Sequence, residues 1–170
     1  MDNQPERPVS LDFVAGLMTG EGTFCLGVCR IKERRGKLRI IPIFGLHMID
    51  HRTVELMADV LRREGLPVYL QLRRKSAGQP QLGIHIAGMR RVERLCRTFI
   101  PLLTGQKQEA AELVLEFIES RLALPKKGQP YTEAQLDIVR RLRQVNGNHN
   151  GPKNSLESSE AIRQTRASVA

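Results

Sequence analysis

An α+β domain with a mixed antiparallel sheet is what this sequence predicts, and three observations carry it. Apolar residues alternate along four short stretches, the period of a strand with one buried face. Those stretches fall into two pairs, each joined by a short polar or charged turn. A segment of helical period precedes each pair, and more helix follows the second. At 170 residues the natural prior is one domain, and a hydrophobic content of 41% is enough for a real core.

The first helix starts at Leu11, with Ser10 as N-cap and Asp12 in the first turn, where the helix dipole favours negative charge. Leu11, Val14, Ala15, Leu17 and Met18 recur at helical spacing, and Gly20 and Gly22 end the run. Residues 23–32 then read as a strand on the alternation of Phe24, Leu26 and Val28, and residues 33–37 as a charged turn. Residues 38–48 read as a second strand. Pro42 and Gly45 are poor central-strand residues, so an edge position or a bulge is expected there. Asp50 caps a helix over residues 51–64, with Val54, Leu56, Met57, Val60 and Leu61 as its apolar set; Gly65 and Pro67 end it. Residues 68–73 and 80–87 form the second strand pair around a turn over 74–79, and helices follow over 90–99, 106–122 and 132–145. The domain spans residues 1–145. From Asn146 to Ala170 the chain turns polar and reads as a loosely ordered tail.

Charge narrows the partners. There are 27 Lys+Arg against 18 Asp+Glu, a formal net charge of +9 and a pI of about 10.1. Such a balance favours a polyanion such as nucleic acid. No apolar run approaches the roughly 20 residues of a membrane span, and the polar opening MDNQPERPVS has no signal-peptide pattern. Cys25, Cys29 and Cys96 read as reduced thiols, which places the protein inside the cell, in cytoplasm, nucleoid or organelle. Cys25 and Cys29 are a poor metal pair, since a strand holds them well apart.

Two features of the first helix stand out. Gly16 and Gly20 lie four apart on one face beside Ala15 and Thr19, and a mid-helix glycine costs about 1 kcal/mol relative to alanine. Small residues there let another backbone approach closely. Glu21 is a lone acid at the foot of an apolar helix. The run Val14-Ala15-Gly16-Leu17-Met18-Thr19-Gly20-Glu21-Gly22 resembles the signature of the LAGLIDADG homing endonucleases, with AGL in the middle and a small residue, an acid and a glycine at the end. Thr19 departs from the acid often found there, a position that is not the metal ligand. The resemblance covers about Ser10 to Val145 and implies an αββαββα fold with C-terminal helices, which agrees with the element order read above.

A site-specific, metal-dependent DNA endonuclease is what the resemblance implies, with Mg²⁺ or Mn²⁺ held by Glu21 and the Gly20 carbonyl. Hard ions take oxygen ligands, so Glu21 is also the ligand the residues themselves offer. One carboxylate per chain cannot clamp two scissile phosphates, and no second copy of the motif is present. A two-fold homodimer meeting at Ala15, Gly16, Thr19 and Gly20 brings two Glu21 residues together. The family places a basic residue near the active site at the start of the long helix after the second hairpin, where Lys107 stands, and an arginine after the second strand, where Arg52 stands. Its polar residue at that strand's end, often glutamine, is here Met48. His47 precedes Met48 and points the other way unless Gly45 marks a bulge.

The sheet face turned away from the helices is the expected DNA surface. Cys25, Gly27, Cys29, Arg39, Gly45, His47, Tyr69, Gln71, Arg73, Gln81, Gly83 and His85 fall there, a set rich in base-reading side chains and poor in acids. A two-stranded ribbon fits the major groove, where base edges carry the full donor and acceptor code. One hairpin tip carries Arg30, Lys32, Arg34, Arg35, Lys37 and Arg39 against Glu33; the other carries Arg73, Arg74 and Lys75 in a turn reaching Gln79. These tips are phosphate contacts on this reading. Two other functions use the same surface, an RNA-splicing maturase, whose partner would include RNA, and a non-catalytic DNA-binding regulator.

Overall fold

The computed structural model describes residues 10–31, 37–73, 78–125 and 128–147. Its elements run α1 Leu11–Glu21, β1 Thr23–Ile31, β2 Lys37–Met48, α2 His51–Arg63, β3 Tyr69–Arg73, β4 Gln81–Ala87, α3 Met89–Phe99, a short 3₁₀ turn Ile100–Leu102, α4 Gly105–Leu122 and α5 Glu133–Val145. The order is the expected one, and no strand or helix boundary differs from it by more than one residue. Caps explain several of the starts. The Ser10 hydroxyl accepts from Phe13 N–H, Asp50 accepts from Thr53 N–H, and Thr132 with Gln135 forms a capping box.

The four strands form one sheet in the order β1-β2-β4-β3, with every pairing antiparallel. Alternation sends Phe24, Leu26, Ile40, Phe44, Leu46, Ile84 and Ile86 to one face, where all are buried. The helices close over that face with Val14, Met18, Val54, Met57, Leu95, Phe99 and Phe117. Phe24 and Phe44 meet at the centre with ring centroids 4.9 Å apart. The opposite face carries no helix, so it is the one free to meet a ligand.

Three expectations need correction. β2 is an inner strand, and its register runs unbroken from Ile43↔Ala87 to Met48↔Leu82, with no bulge at Gly45. Pro42 is tolerated because of where β4 ends. In an antiparallel ladder a residue's N–H and C=O point to the same neighbour. The Pro42 carbonyl accepts from Gly88 N–H at 3.0 Å, so the donor that proline lacks faces the last turn of that ladder. Further out, β2 has no β4 beside it, and Tyr131 Oη accepts the Ile40 N–H at 2.8 Å instead. The third correction concerns Leu70 and Leu72, expected in the core but 39% and 49% exposed. They have the inward parity, yet β3 is an edge strand and the helical cover thins out over it.

Helix α5 packs against α4 and reaches β1. The Gln135 side chain is buried there and donates to Ser120 Oγ at 3.2 Å. Asn146, just past α5, donates to the Phe24 carbonyl on the edge strand β1 at 2.9 Å. Among the described residues no helix is long and apolar enough to cross a membrane.

Candidate active site and nucleic-acid interface

Glu21 is the last residue of α1 and is exposed. A carboxylate at a helix C-terminus faces the negative end of the dipole, an unfavourable place for it. Among the described residues none forms an ion pair with it. The Gly20 carbonyl belongs to the same last turn, whose carbonyls lack intrahelical donors.

The turn that presents Glu21 is packed tightly. Gly22 is buried with φ −71° and ψ 153°, a conformation open to any residue, so space rather than backbone freedom requires glycine. A Cβ there would stand 2.9 Å from Phe44 Cε2 and 3.0 Å from Met18 Cα. The Gly22 N–H closes α1 on the Met18 carbonyl at 3.0 Å. Its own carbonyl accepts from Lys107 Nζ, which arrives from the first turn of α4, 85 residues along the chain. A cation at a helix N-terminus is also disfavoured by the dipole. An exposed acid and a half-buried ammonium, each placed against its own helix's field, thus lie one residue apart in this turn. Arg52 lies exposed in the first turn of α2 beside Asp50.

Gly16 and Gly20 are exposed, and a Cβ at either meets no atom within 4 Å. Together with Phe13, 41% exposed, they form an open face along α1. Thr19 is half-buried. Ala15 is not part of that face. It is 2% exposed, turned into the chain's own core, which corrects its assignment to a contact between copies.

On the free face of the sheet, Arg39, His47, Tyr69, Gln71, Arg73, Gln81 and His85 all have the outward parity. With β2 regular, His47 stays outward and Met48 packs toward the core. The His47 ring lies across Gly83, its ladder partner, so that a side chain at 83 would run into it. The Tyr69 ring has the Arg91 guanidinium 5.5 Å from its centroid, a contact from the start of α3 that the sequence does not announce. Arg30 is exposed but has the parity of Val28, the helix side, at the outer end of β1. Gln79 is exposed before β4. Lys32, Arg34, Arg35, Arg74 and Lys75, with the side chain of Lys37, lie outside the described residues. Burial raises the pKa of Cys25, and Cys29 is exposed. Among the described residues no three His, Cys, Asp or Glu side chains gather as a metal cluster.

No family model and no curated protein sequence matches the chain. Solved structures do. The homing endonuclease I-TnaI aligns with a TM-score of 0.61 and 15% identity over 96% of this chain and 100% of its own. The homing endonuclease I-CvuI, solved with its DNA target and Ca, aligns with a TM-score of 0.60 and 16% identity over 84% and 83%. The LAGLIDADG homing endonuclease I-SmaMI, bound to cleaved DNA, aligns with a TM-score of 0.56 and 18% identity over 92% of this chain and 48% of its own.

The chain has the LAGLIDADG homing endonuclease fold. In that fold the resembling nonapeptide forms α1 and its closing turn, with Glu21 and Gly22 at the end where β1 begins. The antiparallel sheet keeps one face clear of helices, and among the described residues Arg39, His47, Arg73 and His85 fall on it.

Proposed function

We propose that this protein is a site-specific, metal-dependent DNA endonuclease, a homodimer that cuts both strands of a long pseudo-palindromic site and leaves short 3′ overhangs, associated with an intron or intein. The observation that carries the reading is the contact of the Lys107 ammonium with the carbonyl of Gly22, the residue after Glu21. The fold neighbours support it as homing endonucleases, one solved with its target and Ca and another bound to cleaved DNA.

The donor set fits a hard ion. One carboxylate and one peptide carbonyl are oxygen ligands of the kind Mg²⁺ or Mn²⁺ takes, leaving positions for phosphate oxygens and water. When bound, such an ion supplies charge neutralisation and Lewis acidity at the scissile phosphate. Glu21 and the Gly20 carbonyl would hold it. Two chains are needed to supply two carboxylates, and the open Phe13–Gly16–Gly20 face of α1 is where the second chain packs. Lys107 offsets charge developing on the phosphate as water attacks phosphorus in line and the 3′ oxygen leaves. Arg52 and the basic hairpin tips hold neighbouring phosphates, and the outward side chains of β2, β3 and β4 read base edges.

The test is incubation with a randomised library of duplex sites and Mg²⁺, followed by sequencing of the cut ends. A recurrent, roughly two-fold symmetric site with 3′ overhangs is expected. Absence of any cut DNA above a metal-free control would overturn the reading.

A further inference from the structure

The free face of the sheet is divided in two. Across the β3–β4 wing the outward residues are Tyr69, Gln71, Arg73, Gln81, Gly83 and His85, most of them polar, with His47 of β2 beside Gly83. The β1–β2 wing is different. Its ladder pairs Cys25 with Ile43, which pairs in turn with Ala87 on β4; the next outward row pairs Gly27 with Ile41. All five residues are half-buried within the face. Gly27 allows the Ile43 side chain to lie flat across β1, since a Cβ at 27 would sit 2.9 Å from Ile43 Cδ1. Arg39, paired with Cys29, begins the basic end of the same hairpin. Among the described outward residues of all four strands none carries a carboxylate. The apolar ground is thus set in a face that carries Arg39 and Arg73 and, among the described residues, no acid.

Bases offer one strongly apolar feature in the major groove, the C5-methyl of thymine. We propose that Ile41 and Ile43 are specificity-determining residues that read thymine methyl groups in the part of each half-site nearest the cut. The proposal rests on the endonuclease reading above. Placement follows from the strand direction. β1 begins two residues after Glu21 and runs outward, so the Cys25–Ile43–Ala87 row lies closer to the catalytic turn than the Gly27–Ile41 row. The rows are two residues apart, roughly 6.6 Å along a strand, or about two base pairs at roughly 3.4 Å each. Two thymines spaced by about two base pairs are therefore expected in each half-site. The distal base pairs and those under the β3–β4 wing are left to hydrogen-bonding side chains.

The experiment starts from the site recovered with the randomised library and replaces single thymines in its inner segment with deoxyuridine, which removes only the methyl. Binding of the wild-type chain is compared with that of Ile43→Ala and Ile41→Ala. Loss of one buried methyl should weaken binding about fourfold, and of its symmetry mate as much again. The Ala variants should bind more weakly to the thymine site but no longer distinguish uracil from thymine. Wild-type binding that ignores every such replacement, or a site with G·C at all these positions, would overturn the assignment while leaving the endonuclease intact. The assignment falls in the same way if Ile43→Arg leaves DNA affinity unchanged, as expected of a face covered by protein. A chain that neither binds nor cuts any duplex would instead remove the underlying reading together with the proposal.

Discussion

Gly22→Ala is the substitution for which the structure gives the clearest expectation. The backbone at 22 suits alanine, so no conformational penalty arises. The added methyl meets Met18 Cα at 3.0 Å and Phe44 Cε2 at 2.9 Å, and Met18 O stands closer still. The Met18 atoms are backbone and the Phe44 ring is fully buried against Phe24, so nothing nearby yields without disturbing the core. Overpacking of such a site costs about 1–3 kcal/mol. For a chain of this size each kcal/mol moves Tm by about 2–4 °C, which gives a fall of about 2–12 °C in thermal unfolding. Gly45→Ala is the matched control, because a Cβ there meets its nearest neighbours at 3.9 and 4.0 Å. Its expected change lies within about 1 kcal/mol and leans toward stabilisation. Cleavage by Gly22→Ala should fall further than stability alone explains, because the shift moves both Glu21 and the carbonyl that holds Lys107. An alanine variant with unchanged Tm and rate would show that the turn is not packed as described.

Other expectations are independent of that one. Lys107→Met should lower the single-turnover cleavage rate by at least about 10²-fold, the size of losing one positioned charge-stabilising group, while Tm changes little; an undiminished rate refutes its role. Gly16→Leu should leave monomer stability intact, since the site is open, but weaken association by about 1–3 kcal/mol in each of the two copies; a tight dimer in sedimentation would remove the α1 interface. Alanine at Arg34, Arg35, Arg74 or Lys75 should reduce the slope of log K against log salt by about 0.9 for every phosphate left unneutralised in each half-site, and an unchanged slope would show that the tips do not touch phosphate. Burial pushes the Cys96 thiol up to about 12 from an ordinary 9.0. That raised value stabilises the fold below about pH 9, an advantage lost as pH climbs from 9 toward 12. At pH 8 iodoacetamide should therefore label exposed Cys29 and spare Cys96; equal labelling would contradict the burial of α3.

The elements were legible in the sequence because their signals are local: Ser10 and Asp50 cap helices, and Phe24, Leu26 and Val28 keep a strict alternation. Lys107 is legible only through the family resemblance, because its contact with Gly22 joins residues far apart in the chain. What local pattern misreads is sheet order. Pro42 looks like an edge residue until β4 is known to end beside it, and Leu70 and Leu72 look like core until β3 is known to be the edge. The run Ile40, Ile41, Ile43, Phe44 has no readable alternation, because both faces of β2 are apolar there. For the same reason the sequence hides the outward Ile41 and Ile43. Ala15 shows the opposite error, since a small residue beside Gly16 fits an interface pattern although its side chain serves the chain's own core.

If Glu21 holds the ion that drives cleavage, Glu21→Gln should remove that ion, because the change keeps size and removes charge. Binding and cleavage of the recovered site are measured side by side in Mg²⁺. Near wild-type affinity for the duplex is expected, with a cleavage rate lower by orders of magnitude. Equal cleavage by variant and wild type would contradict that role for Glu21.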